Sequence, residues 1–171
     1  DEVIVPTFTY IASVNAIKYV GATPVFCEAD RVTWQLDAEE AEAKITNKTK
    51  AIVAVHLYGQ PCDMEKLVSI ANKHQLFLVE DCAEAIGSQY KDVKVGTFGI
   101  VSAFSFYGNK TITTGEGGMV ATSDPDIYRR VNKLKGQGLS GTREYWHDVI
   151  GYNYRMTNIC AAIGLAQLER V

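Results

Sequence analysis

The run AIVAVHLYG, residues 51–59, constrains the fold more than any other stretch of the chain. It is almost continuously apolar and lacks the in-out alternation of a strand with one wet face. Such a run belongs to a strand covered on both sides, the situation found in parallel sheets with helices packed above and below. LFLVEDCAEA (76–85), VSAFSFY (101–107) and GGMVATS (117–123) read the same way, and VIV (3–5) and TPVFCEAD (23–30) add two earlier strands.

Helical signals fall between these runs. IASVNAIKYV (11–20) is followed by Gly21, placed to close a helix with a left-handed residue. Asp37 with Glu40 forms a capping-box pattern for a helix to about Lys44. Asp63 precedes Met64, Leu67, Val68 and Ala71, the spacing of one buried helix face. Asp124-Pro125 opens a helix with Ile127, Val131 and Leu134 inward, closed by Gly136. Thr157 caps a last helix whose inward residues are expected to be Ile159, Ala162, Ile163 and Ala166. Alternation of this kind predicts an α/β fold with a mostly parallel central sheet flanked by helices.

At 171 residues the chain can bury a real core as one domain. A net charge of -3 gives no electrostatic reason to expect nucleic acid or an anionic membrane, and no signal or membrane-spanning pattern appears, so the reading is cytoplasmic. Cys27, Cys62, Cys82 and Cys160 are widely spaced with no CxxC pair, which reads as four reduced, mostly buried thiols. The three histidines have no ligand spacing, so no metal is expected. GQGLSG (136–141) matches a dinucleotide fingerprint in letters, but it follows a basic helix instead of a strand and reads as a loop. The chain starts directly with a strand and stops inside a helical pattern, as expected of an internal piece of a longer polypeptide.

Ligands of open parallel sheets collect at the carboxyl ends of the strands. Those ends carry Pro6 to Tyr10, His56 to Gly59, Glu80 to Glu84 and Ser105 to Lys110, which should line one cleft. Asp81 ends an apolar strand, where an acid needs a partner; a helix cap or an ion pair would serve. Lys110 sits in the polar break of FSFYGNKTITTGEGGMV (104–120), five residues after Ser105. One acid, one amine and one hydroxyl on a shared rim also suit pyridoxal 5'-phosphate, which needs a lysine for its aldehyde and a carboxylate for its ring nitrogen.

At PTFTYIASVNAI, VEDCAEAIG, FSFYGNKTITTGEGGMV and GYNYRMTNICAAIGLAQLERV the sequence resembles the DegT/DnrJ/EryC1/StrS family of nucleotide-sugar aminotransferases. The resemblance runs over essentially the whole chain. It implies the large domain of a fold-type I pyridoxal-phosphate aminotransferase, with this chain as its central part and the N-terminal segment and C-terminal small domain lying outside. It implies Lys110 as the Schiff-base lysine, Asp81 as the partner of the pyridine nitrogen and Glu84 beside the phenolic oxygen. Ser105 matches a phosphate ligand, and Tyr10, with Phe8 as the substitute, falls at the stacking aromatic. Asn153 matches an asparagine that reaches the neighbouring subunit's phosphate, which implies a homodimer or higher oligomer with shared sites. Relatives that act as dehydratases replace the lysine with histidine, so Lys110 implies transamination.

By the same resemblance, the substrates are L-glutamate and a nucleotide-linked 4-keto-6-deoxy sugar, in the GDP-linked branch, for O-antigen or similar polysaccharide. A UDP- or dTDP-linked keto sugar is the alternative, as is a sugar-nucleotide binder without the chemistry. Two departures stand out. Ile100 occupies a position that is usually acidic, and the family's glycine-threonine phosphate loop is missing, which implies poor cofactor retention by this stretch alone.

Overall fold

The computed structural model describes residues 1–171. Six strands form the main sheet: β1 (Glu2–Pro6), β2 (Thr23–Cys27), β3 (Thr49–Val55), β4 (Phe77–Asp81), β7 (Val101–Ser105) and β8 (Gly118–Ala121). Their spatial order is β2-β1-β3-β4-β7-β8, parallel throughout except for β8, which pairs antiparallel with β7 at the edge. Five helices accompany them: α1 (Ile11–Tyr19), α2 (Ala38–Ala43), α3 (Met64–His74), α4 (Pro125–Lys135) and α5 (Asn158–Leu168).

The apolar run of β3 is covered on both faces. Ile52 and Ala54 join Ile4, Met64, Leu67, Ile70 and Leu78 in one core, beneath α2 and α3. Val53 and Val55 point the other way, joining Val5, Val14, Ile17 and Ala22 beneath α1. The period of two along β1 and β3 thus divides each strand between two cores.

Helix starts follow the capping chemistry. The Asp37 carboxylate accepts the N–H groups of Glu39 and Glu40, Asp63 accepts that of Lys66, and Asp124 those of Asp126 and Ile127. Gly21 adopts φ +76° after α1, as expected of a left-handed stop. The capping box at Asp37 is only half made: Glu40 turns away to accept the backbone N–H of Glu28 and pairs with Lys44.

Three expectations need correction. The strand read as 76–85 ends at Asp81, because the Asp81 carboxylate accepts the N–H of Ala83 and a turn takes over. A two-stranded hairpin, β5 (Gln89–Tyr90) with β6 (Val93–Lys94), was not foreseen; its turn puts Lys91 and Asp92 at positive φ without a glycine to announce it. The apolar residues of α5 do not face inward: Ile159, Ala162, Ile163 and Ala166 are all exposed, because α5 is apolar around its circumference and only part of it meets this chain. Ile127, Val131 and Leu134 of α4 are half-buried.

The turn at Ile100, left unexplained by the sequence, is held by three bonds. Gly99 N–H donates to Glu80, Ile100 N–H to the Leu78 carbonyl, and the Thr122 hydroxyl to the Ile100 carbonyl. No acid at position 100 is required. Gly99 itself lies so close to β4 that an added Cβ would sit 2.5 Å from the Leu78 carbonyl oxygen. Gly99→Ala is expected to cost about 1–3 kcal/mol of stability by overpacking, measurable as a lower urea midpoint with unchanged m-value.

Candidate active site

The chain leaves β1 toward β2 on one side and returns through β3 on the other, so the strand order reverses between β1 and β3. Open α/β sheets bind ligands in the crevice that such a reversal creates. A cleft of about 420 Å³ lies there, within the range of small-molecule sites. Thr9 and Tyr10 enter it from the segment after β1, and Ala12 and Ser13 from the first turn of α1. Val55, His56 and Leu57 come from the end of β3, and Asp81, Ala83 and Glu84 from the end of β4. Ser105, Tyr107, Asn109 and Lys110 complete it after β7. All four strand ends singled out in the sequence therefore meet at one place.

Lys110 is mostly covered, with 19% of its side chain exposed, and its Nζ lies 3.6 Å from Glu84 Oε1. The other Glu84 oxygen accepts the backbone N–H of Tyr58 at 2.7 Å. Tyr58 makes that bond from a left-handed conformation, φ +54° and ψ +26°, which a non-glycine residue adopts at a cost of about 1–2 kcal/mol. Its neighbours enforce the shape. Buried Gln35 grips Leu57 on both sides, accepting its N–H at 3.0 Å and donating to its carbonyl at 3.3 Å, and Ser88 donates to the Gly59 carbonyl at 2.7 Å. Gln35 and the Tyr58 turn went unnoticed in the sequence, where a lone glutamine and the letters LYG carry no signal.

Asp81 has both carboxylate oxygens engaged. Oδ1 accepts the Ala83 N–H at 3.0 Å and Oδ2 the Ser13 hydroxyl at 2.6 Å. The preceding residue, Glu80, projects to the opposite face of β4 and is fully buried. It accepts N–H groups from Gly96 (2.6 Å), Phe98 (2.8 Å) and Gly99 (2.6 Å), and its other partner is His56 Nε2 at 3.2 Å. His56 Nδ1 accepts the Cys62 N–H at 3.1 Å, which leaves the proton on Nε2 to be donated to Glu80. Burial pushes the Glu80 carboxyl up, but the bonds from His56, Gly99 and Gly96 outweigh it and hold the carboxyl below its ordinary range.

His56, Glu80 and Cys82 converge within 4.8 Å, a geometry that could suggest a metal. The hydrogen bonds argue otherwise, since His56 has no lone pair left to offer. All four cysteines are free thiols, and burial pushes Cys27 and Cys62 up to about 12 and Cys82 higher still, so these three are not primed as nucleophiles.

The remaining expected residues fall into two groups. Ser105 lines the cleft with its hydroxyl accepting the Tyr107 N–H at 3.3 Å, and Tyr10 lies on the wall, 76% exposed. Phe8 is instead engaged edge-on with Trp34 at 6.1 Å and does not line the cleft, whereas Tyr10 does, with Tyr107 as the second tyrosine. Asn153 is not brought to this cleft. It lies on an exposed loop, bridged to Gly136 at the start of the GQGLSG segment, which is a loop as expected.

A covered lysine, a doubly held aspartate and a serine thus share one cleft at a strand-order reversal. Residues 1–171 match the DegT/DnrJ/EryC1/StrS aminotransferase family throughout. The chain belongs to that family. Among curated relatives it is 69% identical over 170 residues to the GDP-perosamine synthase of Escherichia coli O157:H7, covering 99% of this chain and 47% of that protein. It is 58% identical over 171 residues to the GDP-perosamine synthase of Vibrio cholerae, covering all of this chain and 47% of the relative. A Streptococcus pneumoniae protein assigned as a sugar aminotransferase, solved in its PLP form, superposes with a TM-score of 0.92 at 36% identity. That match covers 99% of this chain and 49% of the other. The chain thus spans about half the length of the relatives it matches, and its fold is that of the family's aminotransferases.

Within this family member, Glu80 is a support for the site and not part of it. Its folded-state pKa is depressed, so its contribution to stability is complete above the ordinary carboxylate range and is lost as pH falls through the folded value. Glu80→Gln is expected to cost about 2–3 kcal/mol near neutral pH, with the gap to the parent protein closing in acid. Unfolding curves at a series of pH values measure this; a gap independent of pH would show that the charge is not what matters.

Proposed function

We propose that the protein is a pyridoxal-phosphate-dependent aminotransferase that moves an amino group from L-glutamate to a nucleotide-linked 4-keto-6-deoxy sugar, GDP-4-keto-6-deoxymannose, giving GDP-perosamine. The observation that carries the chemistry is the cleft shared by Lys110, Glu84, Asp81 and Ser105. The substrate rests on the 69% identity to a GDP-perosamine synthase.

The residues present fit the cofactor. Lys110 is the only lysine lining the cleft and would hold the aldehyde carbon through Nζ. Asp81, held by two donors, would keep the proton on the ring nitrogen, and Ser105 would hold a phosphate oxygen. Tyr10 would cover the ring face, and Glu84 would lie by the phenolic oxygen. When bound, pyridoxal phosphate supplies an electron sink that lets an amino group pass between two carbon skeletons.

The chain's own groups supply the proton handling. Lys110 Nζ, once free, is the base that takes the α-proton of glutamate and the acid that returns a proton to the acceptor side. Glu84 stands 3.6 Å away to receive that ammonium, so the amine is kept beside the reacting atoms instead of swinging into solvent. Most of the Lys110 side chain is covered, which limits the directions its amine can take within the cleft.

In this reading the chain is the central part of the large domain, and the working enzyme is a homodimer or higher homo-oligomer. Asn153, outside the cleft of its own chain, then serves the phosphate of a neighbour. The enzyme works in the cytoplasm, supplying O-antigen or a similar surface polysaccharide; no helix is long and apolar enough to cross a membrane.

Two measurements test the proposal. Lys110→Ala is expected to remove the visible absorbance band of the cofactor-loaded protein and to lower kcat by about 10²–10⁴-fold or more. A retained band would mean that another amine carries the cofactor. Amination assays with GDP-, UDP- and dTDP-linked keto sugars are expected to favour the GDP-linked one, and a preference for either other nucleotide would replace the substrate proposed here.

A further inference from the structure

We propose that Ser13 is the positioning residue of Asp81, and that with Thr9 it forms a hydroxyl relay fixing which way the Asp81 carboxylate faces. The inference rests on the reading of Asp81 as the partner of the cofactor's ring nitrogen and goes beyond it, to a residue on a different element that controls the acid.

The geometry is specific. Ser13 sits in the first turn of α1 and is nine-tenths buried. Its hydroxyl donates to Asp81 Oδ2 at 2.6 Å, across 68 residues of sequence. An ionised carboxylate can only accept, so the single Ser13 proton is committed to Asp81. Thr9 Oγ1 lies 3.3 Å from Ser13 Oγ, a pair in which either oxygen could donate on distance alone. With the Ser13 proton spent, the direction is fixed: Thr9 donates to Ser13, and Ser13 to Asp81. Donors in series polarise one another and strengthen the final bond.

The consequence lies in the carboxylate plane. The Ala83 N–H fixes Oδ1, but one bond leaves a carboxylate free to rotate about that contact. The Ser13 hydroxyl is a second fixed point on the other oxygen. Together they leave the remaining lone pairs of Asp81 facing the cleft that both residues line. Because Thr9 and Ser13 follow β1 while Asp81 ends β4, the relay also ties the two walls of the crevice across the intervening β3.

The test is a double-mutant cycle on the intact protein, depleted of cofactor and titrated with pyridoxal phosphate, followed by visible absorbance. Ser13→Ala is expected to weaken binding about tenfold in the parent background and less than about twofold in Asp81→Ala, where there is no carboxylate left to orient. Ser13→Thr, which restores the hydroxyl, is expected to stay within about threefold of the parent. An equal loss in both backgrounds would show that Ser13 supports the helix and not the acid, and would overturn the proposal. So would an unchanged affinity in Ser13→Ala or a loss in Ser13→Thr as large as in Ser13→Ala. If Asp81→Ala alone leaves affinity unchanged, the assignment of Asp81 fails first and takes the relay with it.

Discussion

The structure depends on one buried carboxylate. Glu80 sits inside the sheet with four donors converging on it from the 96–99 segment and from His56. An ionised acid without those donors would be intolerable at zero exposure, and the donors without the acid would be buried and unpaired. Neither half can be removed cheaply, so the pairing pins β4, the end of β3 and the approach to β7 into one relative position. Two of the four strand ends that build the cleft, those of β3 and β4, are set by this contact, and β7 is held at its start.

The alternation of a strand then converts that support into function. Glu80 and Asp81 are neighbours in sequence and point to opposite faces of β4. The first is locked into the protein, and the second is thereby presented to the cleft with its two oxygens already held by Ala83 and Ser13. The strained Tyr58 turn plays the same part for Glu84. Gln35 and Ser88 hold the turn, the turn holds one oxygen of Glu84, and the other oxygen is left for Lys110. In each case a group outside the cleft fixes an acid that enters it, which is how a site becomes organised before its ligand arrives.

The fold was largely legible because its signals are local. A strand covered on both faces shows as an unbroken apolar run, as β3 does, and a helix start shows as Asp or Thr at a cap. The run 117–123, read as buried, is instead the antiparallel edge strand β8 with Gly118, Met119 and Val120 exposed, because only one neighbour pairs with it. The cleft was legible because the ends of parallel strands have to converge. What failed had physical causes. The α5 face could not be assigned, since a helix apolar on every side has no preferred direction. The β5–β6 hairpin was hidden because its left-handed turn is made by Lys91 and Asp92, residues that do not advertise one.

By itself, the sequence determined the α/β alternation, the strand ends that supply the site and, through family resemblance, Lys110, Asp81, Glu84 and Ser105 as the residues of interest. Only the tertiary structure decided which of two adjacent acids is buried, that Tyr10 and not Phe8 faces the cleft, and that Ser13 and Gln35 control groups dozens of residues away. Periodicity and capping are written within a few residues of chain. Hydrogen bonds between Ser13 and Asp81, or Gln35 and Leu57, exist only once separate elements have packed, so no local pattern can record them.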